Sequence, residues 1–129
     1  EEGLVLVHPY DDPAIMAGQG TVACEMLDDE PDLDMLIIPL GGGGLMSGNA
    51  VAAKALKPEI ELIGVEAALY PSFYNAVNAE DLDIGGATLA EGIAVKTVGV
   101  QTLPIVSSLV ADIVLVGEDL IERAVNAYA

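Results

Sequence analysis

Four consecutive glycines, Gly41 to Gly44, stand between the apolar run DMLIIPL (34–40) and the segment LMSGNAVAAKALK (45–57). Ordering four glycines costs more backbone entropy than ordering any other residues, and they bring no side chains to pack. A chain keeps such a run only where the backbone itself must be bare. A glycine-rich turn from strand to helix exposes N–H groups, and the helix that follows adds the positive end of its dipole. Together these make an anion site, most often for phosphate. The surrounding charge agrees: from Met35 to Ala53 there is no acidic residue, in a chain with 21 Asp and Glu. The competing reading is a tight turn with close helix-to-strand packing, for which one or two glycines suffice.

The rest of the chain alternates short apolar runs with helical patterns. GLVLVHP (3–9) reads as a buried strand ended by Pro9. The segment 11–30 reads as a helix with Asp12 as N-cap and Pro13 at its first position. Gly18 and Gly20 inside it suggest close approach of another backbone. Strands are expected at 34–40, 60–67 and 112–118, and helices at 45–57, 71–79, 100–110 and 119–129. The Gly-rich stretch 80–99 lacks a period and reads as loop. Short strands alternating with helices indicate an α/β fold, with three αβα layers and a mainly parallel sheet covered on both faces. In such sheets ligands bind beyond the carboxyl ends of the strands, where the glycines lie.

A length of 129 residues suits one domain or a piece of a larger one. The start at Glu1 suggests an incomplete reading frame. No basic region precedes an apolar one in the manner of a signal peptide, and the apolar runs are too short to cross a bilayer. The single Cys24 excludes an internal disulfide and fits a reducing, cytoplasmic compartment. The net charge of −17 argues against nucleic acid and anionic membranes as partners. It reads either as a solvated acidic surface or as adaptation to high salt.

The P-loop pattern needs Gly-Lys-Ser/Thr, and no lysine follows the glycines before Lys54. The dinucleotide pattern G-x-G-x-x-G fails as well, its third glycine falling on Met46 or Ser47. Glu66 nevertheless ends the next strand where a ribose-binding acid would sit, so a self-contained nucleotide- or phosphate-binding module of Rossmann-like fold stays open.

The blocks HPYDDPAIMAGQGTVACEML, IIPLGGGGLMSGNAVAAKALKPEIELIGVEA, LAEGIAVK and DIVLVGEDLI resemble, in order and spacing, those of threonine dehydratase (threonine ammonia-lyase). That enzyme is pyridoxal-phosphate-dependent, of the tryptophan-synthase-β fold type (fold type II), and is related to serine dehydratase and serine racemase. The resemblance implies that Gly41, Gly42, Gly43 and Gly44 cradle the cofactor phosphate, with Leu45 starting the helix behind them. It implies that Glu91 and Gly92 pass beside the cofactor ring and that Glu118 is an acid near the active site, although Glu118 also reads as an N-cap for the last helix. Glu66 matches a position that binds a divalent cation in some relatives. Their second acid, six residues on, is Ser72 here, which leaves Glu66 a weak metal candidate and favours a structural role.

The family's Schiff-base lysine belongs to a Ser-x-Lys-x-Arg-like motif that none of Lys54, Lys57 or Lys96 matches. The substrate-carboxylate loop of the small domain has no counterpart either. The resemblance therefore implies that residues 1–129 are the later part of a cofactor-binding large domain, with no catalytic residue of its own. The parent would be a homo-oligomeric lyase converting L-threonine or L-serine to a 2-oxo acid and ammonia, in biosynthesis of isoleucine or in amino-acid breakdown, with a serine racemase-type parent as the alternative. His8 reads as a turn histidine, Cys24 as core, Lys54 and Lys57 as complements to a helix C-terminus, and Lys96 as exposed.

Overall fold

The computed structural model describes residues 3–129. Among the described residues, five α-helices, three strands and one short 3-10 turn follow one another. Helix α1 (Pro13–Asp29) begins where the sequence places it: the Asp12 carboxylate accepts the amides of Ala14 and Ile15, and Pro13 occupies the first turn. Strand β1 (Met35–Pro39) runs into the glycines, and α2 (Gly44–Leu56) leaves them. Strand β2 (Glu61–Ala67), helix α3 (Ser72–Asn78), helix α4 (Thr102–Leu109), strand β3 (Asp112–Val116) and helix α5 (Glu118–Tyr128) complete the order. The stretch 80–99 is loop except for the 3-10 turn Glu91–Ile93.

The strands form a parallel sheet in the order β1-β2-β3, flanked by helices, which is the α/β class expected. Register pairs Leu36 with Leu62, and Ile38 with Gly64 and through it Ile113, so these residues share one face. That face is the core: with Leu40, Met46, Ala50, Phe73 and Val106 they are buried together. Helix α2 packs on β1, α1 and α4. Where α1 crosses α2, Gly20 meets Gly48 so closely that a Cβ on Gly20 would lie 2.7 Å from the Gly48 carbonyl oxygen. Gly18 has no such neighbour.

Two expectations fail, and one is met in part. Residues 3–9 form no strand, and Leu4, Val5 and Leu6 lie more than four-fifths exposed. A strand needs a neighbour's ladder, and none of the described strands offers one to this segment. The opposite face of the sheet is covered only in part: Ile63 and Val65 are half-buried, while Met35 is 41% exposed, Ile37 67% and Val114 42%. Helix α5 buries none of its residues. Cys24 is exposed rather than core, because the buried stripe of α1 runs through Met16, Gly20, Ala23 and Leu27 and passes beside it.

Candidate functional site

The turn from β1 to α2 leaves a row of backbone donors free at a helix N-terminus. The Leu40 amide donates to Val65 O at 2.8 Å, and the Ser47 amide to Gly43 O at 2.8 Å. Between them, the amides of Gly41 to Leu45 make no hydrogen bond among the described residues. Gly43 precedes α2 with φ of +91°, a left-handed conformation that glycine alone adopts without strain. No acid stands in the first turn of α2. The free amides and the positive end of the helix dipole therefore border the same space.

That space is a cleft of about 420 Å³, lined by the glycines, Tyr10, Gln19, Leu45, Gly92 and Ile93 among others. No charged side chain lines it. A shallower opening of about 790 Å³ lies between the C-terminal ends of α1 and α2. Glu25, Asp28 and Glu59 line that one against the single cation Lys57, so its net charge disfavours anions.

The glycines are also packed. A Cβ on Gly41 would lie 2.9 Å from the Ile93 Cα, on Gly43 2.7 Å from the Thr102 Oγ1, and on Gly44 2.9 Å from the Tyr10 Cα. At Gly42 it would collide with the Tyr10 ring. Close packing therefore demands all four glycines by itself, against the expectation that one or two would satisfy it. The free amides are a separate fact, since a backbone N–H and a Cβ leave the main chain in different directions.

Of the residues singled out beyond the loop, Gly92 is brought to the cleft and Glu91 is not among its lining residues. Glu118 lies beneath the same segment: its Oε2 accepts the Leu89 amide at 3.0 Å, while its Oε1 is buried without a partner. Gly117, not Glu118, is the N-cap of α5. Glu66 is buried, and its two oxygens accept the amides of Phe73 and Tyr74, each at 2.8 Å. Burial pushes its carboxyl up to about 7, against the downward pull of the Phe73, Tyr74 and Ser72 amides. Both oxygens serve the start of α3. His8 is a turn residue, its Nδ1 accepting the amides of Tyr10 and Asp11. Lys54 donates to the Pro58 and Ile60 carbonyls, and Lys96 is exposed.

Sequence reasoning passed over Tyr10, Asp11 and Thr102. Tyr10 covers the loop and donates its hydroxyl to Thr97 O. The Asp11 carboxylate accepts the amides of Val100, Gln101 and Thr102. Thr102, fully buried, donates its hydroxyl to Gly42 O at 2.9 Å. Their neighbours are 32 to 91 positions away in sequence, so no local pattern marks them.

Comparison with known proteins places the chain. A family model described as pyridoxal-phosphate dependent enzyme matches residues 1–129. The chain is 45% identical over 129 residues to an L-threonine ammonia-lyase of Geobacter sulfurreducens, an alignment that takes in 98% of this chain and 32% of that protein. It is 43% identical over 130 residues to a catabolic L-threonine dehydratase of Staphylococcus aureus, taking in 98% and 37%. It thus spans about a third of the length of the curated relatives it matches. Among solved structures, maize serine racemase superposes with a TM-score of 0.89 at 35% identity, over 96% of this chain and 39% of that one. The processed form of threonine deaminase isoform 2 from Solanum lycopersicum superposes with 0.87 at 34%, over 96% and 35%.

Proposed function

The chain belongs to the pyridoxal-phosphate-dependent enzyme family, and from that premise we propose that it forms the cofactor-phosphate-binding part of a longer lyase. The reaction proposed for the whole enzyme converts L-threonine, or L-serine, to a 2-oxo acid and ammonia. The observation that carries the reading is the run of free amides from Gly41 to Leu45 at the mouth of an uncharged cleft. The preference for threonine rests on the 43–45% identity to threonine ammonia-lyases and dehydratases.

The residues present fit a cofactor phosphate. Five amides with no internal acceptor, at a helix N-terminus and in a cleft that no carboxylate lines, suit a dianion. When bound, pyridoxal phosphate supplies the electron sink that lets the α-proton of an amino acid leave. The chain's own share is positioning. Gly41 to Leu45 hold the phosphate, Tyr10 and Ile93 wall the cleft, and Gly92 lies along it. Glu118 steadies the 88–92 segment through the Leu89 amide.

None of the three lysines lies in the cleft lining. The 129 residues alone are therefore expected to make no 2-oxobutanoate from threonine with added cofactor, beyond the free-cofactor background. The whole polypeptide that carries them is expected to make it. Turnover by the 129 residues, or a whole polypeptide inert toward both threonine and serine, would contradict the reading.

A further inference from the structure

The peptide unit between Gly42 and Gly43 is held from one side only. Its carbonyl oxygen accepts the Thr102 hydroxyl at 2.9 Å, in a fully buried contact. Its N–H belongs to Gly43 and is one of the free donors of the cleft. Every described peptide bond is trans, so this N–H points away from its own carbonyl. Gripping the oxygen therefore aims the N–H.

The grip matters because of the residue type. A peptide flanked by glycines on both sides rotates between opposite orientations at little steric cost, since neither neighbour has a Cβ. The four glycines that make the amides accessible also leave them free to turn inward. Something outside the loop has to choose, and the one side chain that hydrogen-bonds a carbonyl of the four glycines is Thr102, among the described residues. Thr102 is itself fixed. Its amide is accepted by the Asp11 carboxylate at 3.2 Å, beside those of Val100 at 3.0 Å and Gln101 at 2.8 Å. Burial acts upward on the Asp11 carboxyl, but these three amides, with His8 nearby, hold it below its usual range. Asp11 thus stays an acceptor at neutral pH.

We infer that Thr102 is a positioning residue for the anion cradle, locking the Gly42–Gly43 peptide with its N–H toward the cleft, and that Asp11 anchors Thr102 for this task. The inference rests on the reading of the cleft as a cofactor-phosphate site. It adds a residue that touches neither cofactor nor substrate and that sets phosphate affinity through one backbone unit.

The test separates phosphate holding from general packing. In the whole polypeptide that carries these residues, freed of cofactor, affinities are measured for pyridoxal phosphate and for pyridoxal, which lacks the phosphate. Thr102→Val keeps the shape and removes the hydroxyl. It is expected to weaken pyridoxal phosphate about tenfold, the size of one lost buried hydrogen bond, and to leave pyridoxal within about twofold. Thr102→Ser is expected to restore the preference for the phosphate form. If Thr102→Val does not fold, Asp11→Ala is the second variant, with the same selective loss expected at about threefold. An unchanged ratio of the two affinities in the folded variant, or an equal loss of both ligands, would overturn the inference while sparing the cleft reading. A wild type that holds both ligands equally would overturn both.

Discussion

At the scale of single residues, one side chain and one glycine carry most of the consequence. Glu66 is a buried carboxyl inside the protein's own packing, raised by that burial to about 7 from 4.5. A carboxyl whose folded pKa lies above its unfolded one contributes stability that is complete below 4.5 and lost as pH rises through about 7. Glu66→Gln cannot ionise and escapes that loss, although it gives the α3 amides one acceptor fewer. Melting curves from pH 5 to 8 are therefore expected to show the difference between the two proteins moving in the variant's favour as pH rises. A constant difference would mean that Glu66 titrates as an ordinary exposed acid. Gly43→Ala combines a positive φ with a Cβ set against Phe73 and Thr102. It is expected to cost about 2–4 kcal/mol in chemical denaturation, from strain and overpacking together. A loss below about 0.5 kcal/mol, typical of unconstrained surface positions, would contradict the packed loop described above.

At the scale of elements, what was legible in the sequence was what is decided locally. Asp12 and Pro13 announce the start of α1 because capping involves only the next three residues. Asp12→Ala is expected to cost about 1 kcal/mol, measured by urea titration, with no change at the cleft. The four glycines announce a strand-to-helix turn for the same reason. The run 3–9 has strand composition and is no strand, because pairing depends on a partner far away in the chain or outside it. Thr102 and Tyr10 were illegible on the same ground. Only folding brings α4 and the segment before α1 onto the glycine loop, and their residue types mark no site. Cys24 shows the limit of periodicity: one position off the buried stripe of α1 turns core into surface. The Gly20–Gly48 contact was half legible, as a glycine inside a helix, without its partner. Gly48→Ala would press a Cβ onto the Gly20 amide nitrogen at 2.7 Å. It is expected to separate α1 from α2 at about 1–3 kcal/mol, while Gly18→Ala, with open space around it, is expected to stabilise α1 slightly.

At the scale of the whole molecule, charge and bare surface stand out. The net charge is −17, and the one ion pair among the described residues, Lys57 with Asp34 at 3.9 Å, has its aspartate 98% exposed. Such a pair contributes little, and the remaining carboxylates repel one another. The melting temperature is therefore expected to rise with salt as repulsion is screened, and a flat response would contradict that balance. No described helix is long and apolar enough to cross a membrane. The exposed sheet face at Met35, Ile37 and Val114, the bare run 4–7 and the unpacked α5 fit a chain that spans about a third of its relatives' length.

The central claim is that the backbone of Gly41 to Leu45 holds a phosphate. It is tested most directly by nitrogen-15 NMR of the 129-residue chain, titrated with pyridoxal phosphate and with pyridoxal. The account predicts that the amide signals of Gly41 to Leu45 shift together and saturate with pyridoxal phosphate, and stay in place with pyridoxal. Shifts confined to the lysines and their neighbours, with the glycine amides unmoved, would contradict it.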